Sequence, residues 1–133
     1  QKGIKIANSV EPKKKPRSSM APTIVFKNNQ LVGVLGSPGG SRIIGYVLQS
    51  IISFIDWDMT AQEIVSYPRL LNRNGVFEIE NTPVNRELSE KLSLFGYKIK
   101  QKKLNSGLHA IVKTENGLEG GADPRREGVV LGN

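Results

Sequence analysis

The chain has no cysteine and only one histidine, His109, among its 133 residues. The lack of cysteine excludes disulfides, a cysteine nucleophile and thiolate ligands to a metal. A metal site built from several histidines is also excluded, and any catalytic triad that used histidine would need His109 itself. Because His109 lies in an apolar run, we expect a packed or edge histidine rather than a catalytic base. The sequence indicates no metal site and no cofactor.

Long apolar runs are missing as well. No stretch has the length that a membrane-spanning helix needs, and the N-terminus shows no signal-peptide pattern. Because the first residue is Gln1, we expect the chain to be a shortened product whose targeting segment lies elsewhere.

Acidic residues are fewer than basic ones, which gives a formal net charge of +7 and a pI near 9.8. The basic residues include two clusters: Lys13, Lys14, Lys15 and Arg17, and then Lys98, Lys100, Lys102 and Lys103. One hypothesis is therefore a basic nucleic-acid-binding module, whose binding would depend strongly on salt. Aromatic residues make up only 6% of the chain and are not interleaved with these charges. That composition favours a solvated basic surface and no nucleic-acid partner.

Apolar residues make up 38% of the chain, which is below the average for a folded domain. They are nevertheless clustered and periodic, so the composition does not indicate disorder. Residues 1–133 show no linker, and their length fits one domain or part of one. We expect a thin core and an apolar surface that another chain covers.

The segment at residues 18–42 organises the rest of the chain. Two apolar runs, residues 23–26 and 31–35, flank a polar, asparagine-rich turn, which is typical of a β-hairpin. The second run is almost continuously apolar, so we predict a central strand buried on both faces. Gly33 inside it predicts a bulge or a close backbone approach.

Polar residues at both ends of this hairpin suit anion recognition. Ser18 and Ser19 (the serine pair) offer two hydroxyl donors just before the first strand. Gly39 and Gly40 (the glycine pair) lack Cβ atoms and lie where the next helix would begin, so their N–H groups can approach a ligand. Such a loop can hold a carboxylate, a phosphate or a developing oxyanion. Its glycine spacing matches neither a Walker loop nor the dinucleotide fingerprint.

Helical periodicity predicts three helices. The first covers residues 41–57 with Ser41 as N-cap, the second covers residues 61–67, and the third begins at Thr82 and is capped by Gly96. The predicted buried positions are Ile43, Ile44, Val47, Leu48, Ile51, Ile52 and Ile55 in the first helix, and Val84, Leu88, Leu92 and Phe95 in the third.

Further strands are predicted within residues 69–80, 97–104, 108–113 and 118–122, with tight turns at Asn-Gly pairs. Asp123 and Arg125 after the last strand are predicted to form a structural ion pair. Strands outnumber helices, so the pattern predicts an α+β fold with a mostly antiparallel sheet and helices on one face.

Three motifs resemble one known family. They are PRSSMAPTIV at residues 16–25, GSPGGSRI at residues 36–43 and GADPRREG at residues 121–128. Together they resemble the small subunit of gamma-glutamyltransferases (glutathione hydrolases), and the resemblance extends over nearly the whole chain. It implies an N-terminal-nucleophile hydrolase fold with αββα layers, of which this chain is the C-terminal part of a small subunit.

The resemblance also implies an activity and the roles of site residues. A threonine that self-cleavage of a precursor exposes would attack the gamma-glutamyl amide of glutathione and pass the acyl group to water or an amino acid. Ser18 and Ser19 would bind the substrate α-carboxylate, and the N–H groups of Gly39 and Gly40 would form the oxyanion hole. Family members usually work in the periplasm or outside the cell, which is the expected location.

The chain departs from the family pattern in several respects: it has no counterpart of the acidic residue that holds the substrate α-amino group, of the large-subunit arginine that pairs with the carboxylate, or of the catalytic threonine. No residue matches the catalytic threonine, because Thr23 lies within a predicted strand, so we expect no nucleophile in this chain. The implied partners are a large subunit and the missing N-terminal part of the small subunit. The alternative is a catalytically inactive structural or binding fragment.

Overall fold

The computed structural model describes residue 6 and residues 8–132. Its elements follow in the order β1 (Thr23–Lys27), β2 (Gln30–Gly36), α1 (Ile43–Ile55), α2 (Ala61–Ser66), β3 (Leu70–Asn72), β4 (Val76–Glu80), α3 (Pro83–Leu94), β5 (Lys98–Lys102), β6 (His109–Thr114) and β7 (Gly117–Ala122). The predicted α+β class, with three helices and mostly antiparallel strands, is confirmed for these residues.

The β1–β2 hairpin forms as its sequence predicts. Asn28 and Asn29 turn the chain with φ angles of 51° and 62°, the left-handed values that two-residue hairpin turns require. The register shifts between Val25 and Phe26, so β2 carries a bulge. A Cβ on Gly33 would lie 3.0 Å from a ring carbon of Phe54, so the close approach predicted at this glycine is also present.

The strands form two sheets rather than the single antiparallel sheet that the pattern predicted. The larger sheet has the order β1-β2-β6-β7 and is antiparallel throughout, and the smaller has the order β3-β4-β5. Strands β4 and β5 are parallel, because α3 carries the chain back across the sheet between them. In the sequence, the predicted helix between two predicted strands was the feature that indicated this crossover.

Helices α1 and α2 cover one face of the larger sheet, and the core lies between them. Its most buried members are Leu35, Ile43, Tyr46, Val47, Ala61, Ile64, Val65, Leu71, Leu108, Ala110 and Val112. Helix α2 approaches β7 so closely that a Cβ on Gly121 would lie 2.3 Å from the Ala61 carbonyl oxygen. The opposite face of this sheet is exposed, with Val34 39% exposed, so the prediction that β2 is buried on both faces is wrong for this chain.

Helix α1 differs from its prediction in its N-cap residue and in which of its apolar residues are buried. Arg42 is the N-cap without a side-chain cap bond, whereas the Ser41 hydroxyl accepts a hydrogen bond from Arg73 Nη2 at 2.7 Å. The helix buries Tyr46 beside Ile43 and Val47, but Ile44, Leu48 and Ile55 of the predicted stripe are exposed. The apolar positions span more of the helix surface than this sheet covers.

Helix α3 has the predicted ends but a different buried face. Thr82 is the N-cap, with its side chain accepting a hydrogen bond from the Asn85 N–H, and Pro83 occupies the first turn. Asn85 and Ser89 are buried, whereas Val84 and Phe95 are 69% and 81% exposed. The Asn85 side chain donates to the Glu80 carbonyl at 2.9 Å, so polar contacts with the neighbouring strand set the orientation of this helix.

Candidate active site

The two predicted site segments lie at the same end of the β1–β2 hairpin. Thr23, at the start of β1, pairs with Leu35, near the end of β2. The serine pair lies just before Thr23 and the glycine pair just after the end of β2. Because the strands are antiparallel, both segments leave the hairpin at the same end.

The serine pair is accessible from solvent. Ser18 is exposed, and its Oγ accepts a hydrogen bond from the Met20 N–H at 3.2 Å. Ser19 is half-buried, and its hydroxyl has no hydrogen-bond partner within the described residues. Both hydroxyl hydrogens therefore remain available for an incoming acceptor.

The glycine pair lies in the loop that leads into α1. Gly39 has a φ of +139°, which side-chain-bearing residues rarely adopt, and both glycines are exposed. The Gly40 carbonyl accepts a hydrogen bond from the Ile43 N–H at 3.0 Å, which begins α1. Across residues 8–132, neither glycine N–H donates to a protein acceptor. Two such amides at a helix start match the donors of an oxyanion hole.

Residues from the C-terminal part of the chain brace this loop. The Gly107 N–H donates to Ser37 Oγ at 3.4 Å, and a Cβ on Gly107 would lie 2.7 Å from both Pro38 and Arg126 side-chain atoms. Arg126 itself donates through Nε to the Ser106 carbonyl at 3.0 Å. The loop is therefore packed against residues that lie far away in sequence.

A charge cluster fixes the first residue after the loop. Arg42 donates through Nε and Nη2 to the two carboxylate oxygens of Glu78, at 2.7 and 3.0 Å, and Lys102 Nζ donates to the same carboxylate at 2.8 Å. The hydrogen bonds from Arg42 are the main reason why the pKa of Glu78 falls to about 2, with Lys102 adding to the effect against the cost of burial. The bond to Glu78 in turn raises the pKa of Arg42. This bidentate contact anchors the start of α1 to the smaller sheet.

A cavity of about 210 Å³ opens beside the glycine pair. Its lining includes Gly39, Gly40, Arg42, Lys102 and Arg126, but neither member of the serine pair. The glycine amides therefore have a basic cavity next to them that the serines do not share.

Sequence reasoning missed a buried arginine below this site. Arg69 is fully buried, and its guanidinium donates to Ser106 Oγ at 3.1 Å, to the Ile64 and Val65 carbonyls, and pairs with Asp123 at 3.7 Å. In the sequence, Arg69 follows Pro68 shortly after the second helix. An arginine at such a position is usually exposed, so the sequence did not indicate its burial.

The predicted ion pair between Asp123 and Arg125 is confirmed, and it belongs to a larger network. Arg125 Nη1 lies 3.0 Å from Asp123 Oδ1, and its other nitrogens donate to Glu80 at 2.7 and 2.6 Å. Arg125 also donates to the Val65 and Ser66 carbonyls at the end of α2 and to that of Tyr67, its C-cap, at 3.1 Å. The terminal turn thus ties α2 to β4 and leaves Arg126 beside the glycine loop.

In this network, burial and ion pairing shift the pKa values of the charged groups in opposite directions. Burial, reinforced by the charge of Arg125, lowers the pKa of Arg69 to about 10. Burial would raise the pKa of Asp123, but hydrogen bonds from Ser106 and from backbone N–H groups outweigh it, so the pKa of Asp123 is lowered. For Arg125, the hydrogen bonds to Glu80 and Asp123 overcome burial and raise its pKa. All three groups remain charged at neutral pH.

Other titratable residues lie outside the site. His109 is exposed at the start of β6, with Nδ1 3.2 Å from the Gly107 carbonyl oxygen. Asp56 and Asp58 are exposed after α1. Among residues 6 and 8–132, no group of histidine, aspartate and glutamate side chains is arranged to hold a metal ion. No helix in this part of the chain is long and apolar enough to cross a membrane.

The four-stranded antiparallel sheet has helices on one face and the glycine loop at the end of its first hairpin. Its fold is that of the N-terminal-nucleophile hydrolases, which solved gamma-glutamyltranspeptidase structures share. A profile of the gamma-glutamyltranspeptidase family matches residues 2–133. This chain belongs to the gamma-glutamyltranspeptidase family.

Individual relatives agree with this assignment and show how much of them the chain covers. A glutathione hydrolase proenzyme of Bacillus subtilis is 36% identical over 129 residues, which are 95% of this chain and 22% of the relative. An acylase ACY 1 proenzyme of a Pseudomonas strain is 35% identical, over 92% of this chain and 22% of the relative. The crystal structure of a Helicobacter pylori gamma-glutamyltranspeptidase mutant, T380A, superimposes with a TM-score of 0.81 at 40% identity, over 90% of this chain and 68% of that one. The chain thus spans about a fifth of the length of its curated relatives.

Proposed function

We propose that this chain supplies the carboxylate-binding and oxyanion-binding parts of an active site that hydrolyses or transfers the gamma-glutamyl group of glutathione and related compounds. The observation that carries the proposal is the pair of free N–H groups at Gly39 and Gly40, at the same hairpin end as two accessible serine hydroxyls. Relatives of nearly equal identity are named as glutathione hydrolases and as acylases, so identity alone does not decide the substrate. The serine pair favours a substrate that carries a carboxylate.

Each group has a distinct task in the proposed reaction. The hydroxyls of Ser18 and Ser19 donate hydrogen bonds to the substrate α-carboxylate, and this contact sets the position of the γ-carbonyl. The amides of Gly39 and Gly40 then donate to the carbonyl oxygen as it becomes an oxyanion. Because these donors are already oriented, they stabilise the transition state by a few kcal/mol, typically about 3 kcal/mol per donor.

The nucleophile comes from outside these residues in this scheme. A threonine hydroxyl attacks the γ-carbonyl carbon while its own α-amino group takes the proton. The C–N bond of the amide then breaks, and the leaving amine receives that proton. Water or the amino group of an acceptor attacks the resulting ester, which releases glutamate or a new gamma-glutamyl compound and restores the threonine.

The partners in this scheme are a large subunit and the N-terminal part of the small subunit. The outer face of the β1-β2-β6-β7 sheet offers a surface for them, because it carries exposed apolar side chains on neighbouring strands. These are Ile24, Phe26, Leu31, Val34, Ile111 and Leu118. A second sheet that packs on this face would complete the αββα layers.

Kinetics on this chain assembled with the missing parts test the proposal. Ser18→Ala combined with Ser19→Ala should raise KM for a gamma-glutamyl anilide roughly tenfold or more, because two hydrogen bonds to a charged group are lost. The matched substrate is a 4-aminobutyryl anilide, which lacks the α-carboxylate, and the matched variant is Ser41→Ala. An equal loss on both anilides would contradict the assigned role of the serine pair. An assembled protein that cleaves neither anilide would favour the inactive-fragment alternative.

A further inference from the structure

Two residues outside the glycine pair hold the peptide group that carries the Gly39 N–H. The Ser37 hydroxyl donates to the Pro38 carbonyl at 2.9 Å, and the Gly107 N–H donates to the same Ser37 oxygen at 3.4 Å. The Pro38 carbonyl and the Gly39 N–H belong to one planar peptide bond. A hydrogen bond to that carbonyl therefore also constrains the direction of the Gly39 N–H, one of the two proposed oxyanion donors.

Packing limits the position of the same peptide group. A Cβ on Gly107 would lie 2.7 Å from Pro38 Cγ and 2.7 Å from Arg126 Cδ, well inside the distance of about 3.5–4 Å that two carbon atoms prefer. The Arg126 guanidinium donates to the carbonyls of Asn105 and Ser106, so its side chain is held against this segment. Only a residue without a side chain fits at position 107 without displacing Pro38 or Arg126.

The segment around Gly107 is held more firmly than the glycine pair. The Leu108 N–H donates to Asp123 Oδ2 at 3.1 Å, and the Ser106 hydroxyl donates to the same oxygen. Ser106 and Leu108 are fully buried, whereas the glycine pair lies exposed in the loop of residues 37–42. Strain at position 107 is therefore relieved by movement of the exposed loop rather than of the buried segment.

We propose that Ser37 and Gly107 are positioning residues that set the direction of the Gly39 N–H toward the reacting carbonyl oxygen. The proposal rests on the proposed function, because that function makes this N–H an oxyanion donor. Neither residue touches the substrate in this scheme, and both act through the peptide group of Gly39. A donor that is aligned before the reaction stabilises the transition state, so losing the alignment slows the chemical step and leaves substrate binding by the serine pair unchanged.

The orientation of the Gly39 N–H in this chain gives the first test and requires no catalysis. Residual dipolar couplings of the backbone N–H groups measure it by NMR. Ser37→Ala removes the hydroxyl that bonds to the Pro38 carbonyl, so the coupling of Gly39 should change while those of the β-strands stay the same. Ser37→Thr keeps a hydroxyl and should retain the wild-type coupling. The matched control is Ser41→Ala, a change in the same loop at a hydroxyl that bonds to Arg73, and it should also retain this coupling.

Gly107→Ala tests the packing contact separately. Its added methyl group should displace Pro38 and change the coupling of Gly39. Gly120→Ala is the matched control, because its Cβ would lie 2.5 Å from Val130, an equally severe clash with a residue outside the loop. An unchanged Gly39 coupling in Ser37→Ala or in Gly107→Ala, or an equal change in the matched control, would overturn the role assigned to that residue.

Kinetics on the assembled protein give the second test. Ser37→Ala should lower kcat for a gamma-glutamyl anilide roughly tenfold, less than the complete loss of an oxyanion donor, and should leave KM within about twofold. Ser37→Thr should restore kcat, and Ser41→Ala should change neither constant. A raised KM with an unchanged kcat would overturn the positioning role while leaving the gamma-glutamyl function intact. If the wild-type assembly cleaves no anilide, the proposed function fails, and the dipolar couplings still decide whether Ser37 and Gly107 orient the Gly39 N–H.

Discussion

Arg69 is the residue on which the packing below the candidate site depends most. It is fully buried, and Asp123, its charged partner, is also removed from solvent. A buried pair adds little net stability, but removing Arg69 takes away one of the two cations beside the buried Asp123 and leaves only Arg125. The other hydrogen bonds of Arg69 go to a hydroxyl and to carbonyls at the end of α2, which would lose their donors as well.

Arg69→Met is therefore expected to lower the free energy of unfolding by about 3 kcal/mol, measured by urea denaturation. Arg86→Met is the matched control, because Arg86 is exposed on α3, and its effect should stay within about 0.5 kcal/mol. A loss at Arg69 no larger than that of the control would show that the network is not structural.

Glu78 gives the molecule an acid-sensitive contact. Its folded-state pKa, about 2, lies below the unfolded value near 4.5, so its stabilising effect is present above pH 4.5 and declines as the pH falls toward 2. The stability difference between the wild-type chain and Glu78→Gln should be largest near neutral pH and shrink between about pH 4.5 and pH 2. Urea unfolding across this range measures it, and a pH-independent difference would contradict the assigned pairing.

At the residue scale, sequence reasoning succeeded for the Asp123–Arg125 pair, whose two members lie within one turn. The roles of the serine and glycine pairs, which local sequence indicated, stay predictions. The Arg69 network joins residues from α2, the 105–107 loop and the terminal turn, so no local pattern could reveal it. The same holds for Glu78, whose partners lie 36 and 24 positions away.

The helix starts show how an element is fixed at its ends. Thr82 caps α3 through its side chain, whereas Ser41 bonds to Arg73 and does not cap α1. Arg42 takes the cap position of α1 because Glu78 holds its side chain on the smaller sheet.

Thr82→Ala should lower the free energy of unfolding by about 1 kcal/mol, the usual cost of a lost cap. Ser41→Ala should change it by less than about 0.5 kcal/mol, because only an exposed side-chain contact is lost. Thermal or urea unfolding of both variants distinguishes the two roles. Equal losses would mean that Ser41 contributes to the start of α1 as the sequence first indicated.

Element types and turns followed well from periodicity, but the buried faces did not. The two asparagines of the first hairpin and the Thr-Pro start of α3 set local backbone geometry directly. Which side of α1 or α3 is buried depends instead on the sheet that each helix meets. Ile44 and Val84 have the apolar character of core residues, yet both are exposed in this chain.

The whole molecule has an apolar outer sheet face that its own helices do not cover. Ile111, at the centre of that face, is 50% exposed. Ile111→Asp should weaken association with the proposed partners, the large subunit and the N-terminal part of the small subunit, at least tenfold, because a charge would be buried between two sheets. Analytical ultracentrifugation measures this, with Leu94→Asp on α3 as the control. Equal affinity for both variants would show that this face is not the interface.

Release of a chromogenic amine from a gamma-glutamyl anilide tests the central claim most directly. The chain should release none alone and should become active when the N-terminal part of the small subunit and the large subunit are added. Activity that appears only on assembly, and falls with the serine-pair variant, is the predicted result. Release by the isolated chain, or no release after demonstrated association, would contradict the account.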